Sequence, residues 1–136
     1  MITRKTVFLN GCFDGGLHFG HLQIIKYARS LGDILIIGID SDRRISKSKG
    51  AGRPLNTAME RGEYLDALEC VALVVEFDTD EELENFIKLL EVDIMVVGEE
   101  YKTRKVIGSE YAKEGVFYYP RIPGFSTTSL IEGNNY

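Results

Sequence analysis

His18 and His21 are the only imidazoles in the 136 residues, and they stand three apart in the stretch Asn10-Gly11-Cys12-Phe13-Asp14-Gly15-Gly16-Leu17-His18-Phe19-Gly20-His21. Where such a stretch opens a helix, residues three apart share a face, so both rings can converge on one ligand. Three chemistries compete for the pair. One is a polar first helical turn whose imidazoles are solvated or cap the helix. Another is zinc, which needs a third and usually a fourth ligand. The chain offers only Cys12 and Cys70 as thiols, at no recognisable metal spacing. The third is hydrogen-bond donation from His18 and His21 to the phosphate oxygens of a nucleotide, with Gly20 letting the backbone come close without a Cβ in the way.

The flanking elements favour the phosphate. Thr6-Val7-Phe8-Leu9 is a short apolar and β-branched run that suits a buried strand. After the turn, Leu22, Ile25, Tyr27 or Ala28, and Leu31 recur at helical spacing. Strand, glycine turn, helix is the order in which an α/β sheet cradles an anion, because backbone N–H groups and the positive helix end point at it.

Further along, the segment 33–39 contains a continuous apolar run over 34–39 fit for a parallel strand buried on both faces. It ends at Asp40-Ser41-Asp42, where Ser41 or Asp42 caps a short helix. Residues 46–54 read as a basic, glycine-containing loop: either a solvated connection, or a flap carrying Lys47, Lys49 and Arg53 over a polyanion. It is not a Walker loop, since no lysine follows a glycine at the required spacing. Asn56 then caps a helix over 57–69 with Met59, Tyr64, Leu65 and Leu68 inward. Arg61 in that helix serves a surface ion pair or reaches into the pocket. Strands over 71–75, 93–98 and 116–119 and an acidic amphipathic helix over 80–90 complete the pattern. Ser126, Thr127 and Thr128 precede a short apolar stretch, as a plain cap or as a second anion site at a helix start. The expected fold is a single α/β, Rossmann-like domain whose mostly parallel five-stranded sheet has helices on both faces.

Composition narrows the partners. A net charge of −5 and a pI near 5.1 argue against nucleic acid and anionic membranes, while leaving room for a local basic pocket. There is no run of about 18 apolar residues and no signal-peptide core. Two cysteines distant in sequence suit a reducing compartment, so a soluble cytoplasmic protein is expected.

These residues resemble the cytidylyltransferase-like nucleotidyltransferases, the family with a His-x-Gly-His signature, over nearly the whole chain. Gly11 to Asp14 with Leu17 to His21 is similar to the first motif. The stretch from Arg121 to Thr128 is similar to the Arg-x-x-Gly-(Ile/Phe)-Ser-Thr-Thr signature. Two branches fit. Ser41-Asp42, Lys49-Gly50, Arg53-Pro54-Leu55-Asn56, Glu60-Arg61, Ala67-Leu68 and residues 98–102 resemble the adenylyltransferase domain that makes ADP-heptose. Tyr119-Pro120-Arg121 with the following Gly-Phe-Ser-Thr-Thr is more like glycerol-3-phosphate cytidylyltransferase. More of the middle matches the first branch. One departure stands out: three residues separate Asp14 from His18 where the family has two, and the Gly15-Gly16 pair is expected to absorb the extra one as a bulge.

The resemblance implies attack by an acceptor phosphate on the α-phosphorus of ATP or CTP, with release of pyrophosphate. It assigns catalysis to His18, His21, Lys49 and Arg121. Nucleotide binding falls to Gly11, Cys12, Phe13, Gly20, Gly98, Glu100, Tyr101, Ser126, Thr127 and Thr128. The acceptor side holds Lys47, Arg61 and Asp14, the last more an organiser of backbone than a catalyst. Mg²⁺ is expected to arrive on the triphosphate, since magnesium keeps its waters and uses few protein ligands. A homodimer is implied by the family alone. The reading of another class is a nucleotide-binding module without turnover.

Overall fold

The structure is a computed structural model that describes residues 4–120. Five strands form one sheet: β1 (Thr6–Gly11), β2 (Ile34–Asp40), β3 (Leu73–Phe77), β4 (Ile94–Gly98) and β5 (Val116–Tyr119). Their order is β3-β2-β1-β4-β5, and every neighbouring pair is parallel. The helices are α1 (Phe19–Ser30), α2 (Asp42–Lys49), α3 (Ala58–Asp66) and α4 (Asp80–Leu89), with single 3-10 turns at Glu99–Tyr101 and Ser109–Tyr111. The expected α/β architecture is the one found.

Chain direction explains the layers. From β1 the chain steps outward to β2 and β3, and right-handed crossovers put α1 and α3 on one face. It then returns past β1 to β4, so α4 lands on the opposite face. Alternate strand residues divide accordingly. Val7, Leu9, Leu35, Ile37 and Val96 pack with Ile25, Ala28 and Leu65 of α1 and α3, whereas Phe8, Ile36, Met95 and Val97 pack with Leu83 and Ile87 of α4. The reversal between β1 and β4 is the switch point where such sheets bind ligands beyond their carboxyl ends.

Three local expectations need correction. Residues 46–49 are not loop but the last turns of α2, capped by Ser41 and stopped at Gly50 with φ 96°. Lys47 and Lys49 therefore project from the helix C-terminus, where cations are favoured by the macrodipole. The cap of α3 is Thr57, not Asn56. Its hydroxyl accepts from the Glu60 N–H while Glu60 accepts from the Thr57 N–H, a capping box spelled Thr-x-x-Glu in the sequence. Met59 is 76% exposed, because this helix turns Arg61 and Leu65 inward instead.

Candidate active site

The turn after β1 sets the histidines. Gly15 and Gly16 both take left-handed backbone, at φ 81° and 82°. Glycine adopts this region without Cβ strain, so the chain turns at this pair before the helix begins at Phe19. His18 then caps α1 in extended conformation, as φ −118° and ψ 177° show. Its Nδ1 accepts the His21 N–H at 3.3 Å, and the His21 Nδ1 accepts the His18 N–H at 3.3 Å. This is a capping box built from two imidazoles in place of hydroxyl and carboxylate.

The box fixes more than the helix. An Nδ1 that accepts carries no proton, so in the neutral ring the proton sits on Nε2. The two rings are stacked with centroids 3.7 Å apart and planes 20° apart, and Phe13 lies against His21 at 5.2 Å. Burial lowers the pKa of His18. Burial, followed by the nearby His18, takes His21 down to about 4, with Lys49 adding to the fall and a hydrogen bond to the Gly16 backbone opposing it. Both rings are thus neutral at pH 7 with the proton on Nε2, and in His21 that proton is directed at the Gly16 backbone. Capping and donation, rivals in the sequence, use different nitrogens.

Asp14 anchors the segment that follows α2. Its carboxylate accepts from the Leu55 and Asn56 N–H groups at 2.8 Å and from Arg53 Nε at 3.0 Å. Burial pushes its pKa up, but these hydrogen bonds outweigh it and hold the group below the usual carboxylate value. Asp14 is a buried organiser of backbone in this geometry. Arg61 departs further from expectation. It is fully buried, donating to the carbonyls of Asn56, Cys12 and Asp40 at 2.8–3.0 Å and to Asp42 Oδ1 at 2.7 Å. With the guanidinium tying together the ends of β1 and β2 and the starts of α2 and α3, it reaches neither the surface nor the cleft.

Beyond the carboxyl ends of β1 and β2 opens a cavity of about 670 Å³. It gathers Gly11, Cys12, Lys47, Lys49 and Tyr101 from the expected set. Asn10, Arg44, Arg104 and Lys105 join them unforeseen. Five cations and the single carboxylate of Asp40 in the wall make a basic pocket in an acidic chain. Arg44 is engaged by Asp40 at 3.1 Å and Asp80 at 2.8 Å, which leaves the lysines and Arg104 as the pocket's more available charge. The charge of Lys49 is felt by both His21 and Cys12, so it links the histidine turn to the cavity. Burial, with Asp40 behind it, raises the Cys12 thiol.

Gly20 lies in the first turn of α1, and Gly98 ends β4 with the Glu100 carboxylate folded over it. Arg121, Ser126, Thr127 and Thr128 lie outside the described residues. The basic pair Arg104-Lys105 was visible in the sequence, but nothing local assigns it to a cavity whose other cations sit more than fifty residues earlier. Among the described residues no three His, Cys, Asp or Glu side chains gather as a metal site, and no helix is long and apolar enough to cross a membrane.

Comparison with known proteins identifies the family and the fold. The chain is 48% identical over 128 residues to the bifunctional protein HldE of Helicobacter hepaticus, covering 94% of this chain and 26% of that one. It is 46% identical to the protein of the same name from Campylobacter fetus, again over 94% of this chain and 27% of the other. The chain thus spans about a quarter of the length of these curated relatives. Among solved structures, the lipopolysaccharide core biosynthesis protein of Thermoplasma volcanium superposes with a TM-score of 0.72 at 19% identity, over 88% of this chain and 99% of that one. Pantoate-beta-alanine ligase of Francisella tularensis, solved with an ATP analogue and beta-alanine, gives 0.61 at 15% identity, over 94% and 65% of the two chains; both likenesses speak to fold. The cytidylyltransferase-like family model matches residues 8–133, from β1 through the Ser-Thr-Thr segment, and the chain belongs to that family.

Proposed function

We propose that this chain transfers an adenylyl group from ATP to the phosphate of a sugar 1-phosphate, a heptose 1-phosphate foremost, releasing pyrophosphate. Nucleotidyl transfer follows from the family. The choice of ATP and a sugar phosphate rests on the resemblance of the middle of the chain to the ADP-heptose-forming domain, and on relatives named HldE that match over this same stretch.

The observation that supports the reading is the histidine box together with the basic cavity, which does not include the two rings in its wall but whose Lys49 acts on His21 through its charge. An acceptor phosphate has a second pKa near 6, so it is already a nucleophile at neutral pH and needs no general base. What it needs is alignment with a second polyanion and donors for the charge that grows on the transferring phosphoryl oxygens. His18 and His21 donate from Nε2 to the nucleotide phosphates at the start of α1, where the helix dipole adds its field. Lys49 and Lys47 face the acceptor and α-phosphates, and backbone N–H groups of Gly11 to Phe13 border the phosphate site. Tyr101 stands at the nucleoside side of the cavity. Arg121 and Ser126 to Thr128 are assigned to the triphosphate by their motif. A donor set of imidazole, lysine and backbone N–H fits Mg²⁺ carried by the triphosphate rather than held in a cage of protein carboxylates. That ion would screen the charge of the triphosphate.

The test is pyrophosphate release with Mg²⁺ across ATP and CTP, each against heptose 1-phosphate, glycerol 3-phosphate and phosphocholine. Turnover confined to ATP with the sugar phosphate is expected. Turnover with CTP and an alcohol phosphate overturns the substrate assignment. Nucleotide binding by calorimetry without turnover of any pair overturns the enzymatic role.

A further inference from the structure

The basic cavity holds more charge than the proposed function has used. Arg44 is matched by Asp40 and Asp80, and its guanidinium lies 5.1 Å from the centre of the Phe77 ring. Among the described residues, Lys47, Lys49, Arg104 and Lys105 have no carboxylate within ion-pair distance, although the chain carries a net charge of −5. Like charges gathered on one cavity repel one another, and an anion seated among them removes that cost.

The four come as two pairs from separate elements. Lys47 and Lys49 stand in the last turn of α2, whereas Arg104 and Lys105 follow the 3-10 turn after β4. The second pair is held by its neighbours rather than by ion pairs. The Arg104 N–H donates to the Tyr101 carbonyl at 3.1 Å, and the guanidinium lies 5.3 Å from the centre of the Tyr101 ring. A guanidinium against an aromatic face keeps the N–H groups of its own edge for a ligand. Directly after Lys105, Val106 is buried among the residues that pack on α4. The backbone is thus anchored on both sides of two exposed cations. The cavity wall is rich in donors, and its single carboxylate, Asp40, already accepts from Arg44. A phosphate suits such a wall better than a neutral polyol does, since it brings acceptor oxygens and charge together. His18 and His21 are not part of this wall, so the phosphate it takes is the acceptor's rather than the one at the start of α1.

We propose that Arg104 and Lys105 bind the acceptor phosphate, completing with Lys47 and Lys49 a clamp drawn from two elements. This deepens, and rests on, the reading that the cavity receives the acceptor. The planar fork of Arg104 engages two phosphate oxygens at once, where the lysines act as point charges. The lysines of α2 are shared with the α-phosphate, but the pair at 104–105 touches the acceptor alone and therefore governs its binding without affecting that of ATP.

The experiment measures the KM for heptose 1-phosphate and for ATP, together with the melting temperature, in the wild type and four variants. Arg104→Met should raise the KM for the sugar phosphate about tenfold or more, the scale of hydrogen bonds to a charged group. Its kcat and its KM for ATP should change little, as expected for binding that is equal in ground and transition states. Arg104→Lys should recover only part of the loss, since it keeps the charge and gives up the fork. Lys105→Met should raise the same KM. Lys88→Met removes the same charge from α4, where Lys88 lies over Tyr111, and should leave both KM values unchanged. The melting temperatures should all match the wild type. The proposal is overturned if the KM for ATP rises in place of that for the acceptor, if Lys88→Met acts as strongly as Arg104→Met, or if Arg104→Met changes only the melting temperature. A wild type that uses glycerol 3-phosphate instead overturns the sugar assignment, and the same variants then test the clamp with that acceptor, because the contact is to the phosphate. A wild type that neither turns over nor binds any acceptor by calorimetry overturns the proposed function and the clamp together. An active wild type with an indifferent Arg104→Met overturns the clamp alone.

Discussion

The proposed function gives His18 a second role beside its cap, on the other nitrogen, and isosteric amides separate the two. The Oδ1 of asparagine reaches the place of the imidazole Nδ1, so His18→Asn keeps an acceptor for the His21 N–H while removing the Nε2 donor. The longer glutamine puts its amide nitrogen near Nε2, so His18→Gln keeps a donor and gives up the cap. Both variants lose the stack on His21, where the centroids are 3.7 Å apart, and the difference between them isolates the cap. At 3.3 Å the capping bond is long, which places its worth at the low end for N-caps, about 0.5–1 kcal/mol. For a chain of this size that is a melting temperature roughly 2–5 °C lower for Gln than for Asn. Turnover should run the other way. Loss of a donor that acts on charge developing in the transition state costs about 10²-fold in kcat, so His18→Asn should be the slower enzyme by far. Thermal unfolding and a coupled pyrophosphate assay on the two variants suffice. Turnover of His18→Asn within threefold of wild type would refute the Nε2 donor, and equal melting temperatures for the pair would refute the cap.

Three further outcomes follow from the same geometry. The pKa of His21 near 4 lies below its unfolded value of 6.5, so the unfolded chain binds the extra proton. Stability from this group is complete above pH 6.5 and is lost as pH falls towards 4, by up to about 3 kcal/mol. Urea unfolding at pH 7 and 4.5 should show the loss, His21→Gln should show much less of it, and an unchanged slope in that variant would contradict the burial of the imidazole. Arg61→Met should cost about 3 kcal/mol or more, because three carbonyls and the Asp42 carboxylate lose their donor together; a melting temperature close to wild type would show that the ends of β1 and β2 need no such tie. Gly16→Ala meets open space around the new Cβ but must hold φ at 82°, so its cost of about 1–2 kcal/mol is backbone strain alone. A larger loss in turnover than in stability is expected, since the strain is relieved by moving His18, and unaltered kinetics would show that the turn and the cap are uncoupled.

Much of this protein was legible without coordinates because the informative patterns are local. Short apolar runs marked the strands, a 3.6 period marked most of the helices, and the run strand, glycine turn, histidine pair pointed to an anion at that turn. These features depend on residues within a turn or two of one another. The Thr57-x-x-Glu60 box was equally local and could have been read in place of Asn56. The fate of the basic stretch was less so: Ser41 and Asp42 signalled a helix, but its persistence through Lys49 puts the two lysines on a helix end rather than a loose flap.

Other assignments depended on contacts that only the folded chain makes. Arg61 looks like any surface arginine until it meets carbonyls of residues 12, 40 and 56 in one buried knot. Asp14 becomes a clamp because residues 53–56 return to it. The cavity joins Asn10 to Arg104 and Lys105, more than ninety residues away, because the chain crosses back over the sheet between β3 and β4. Spacing in the sequence determined that two histidines would share a helix face. The nitrogens that cap were settled within that same turn, whereas the burial that lowers both imidazole pKa values and the Lys49 charge felt by His21 were decided by tertiary packing, since burial is a property of an environment rather than of a motif.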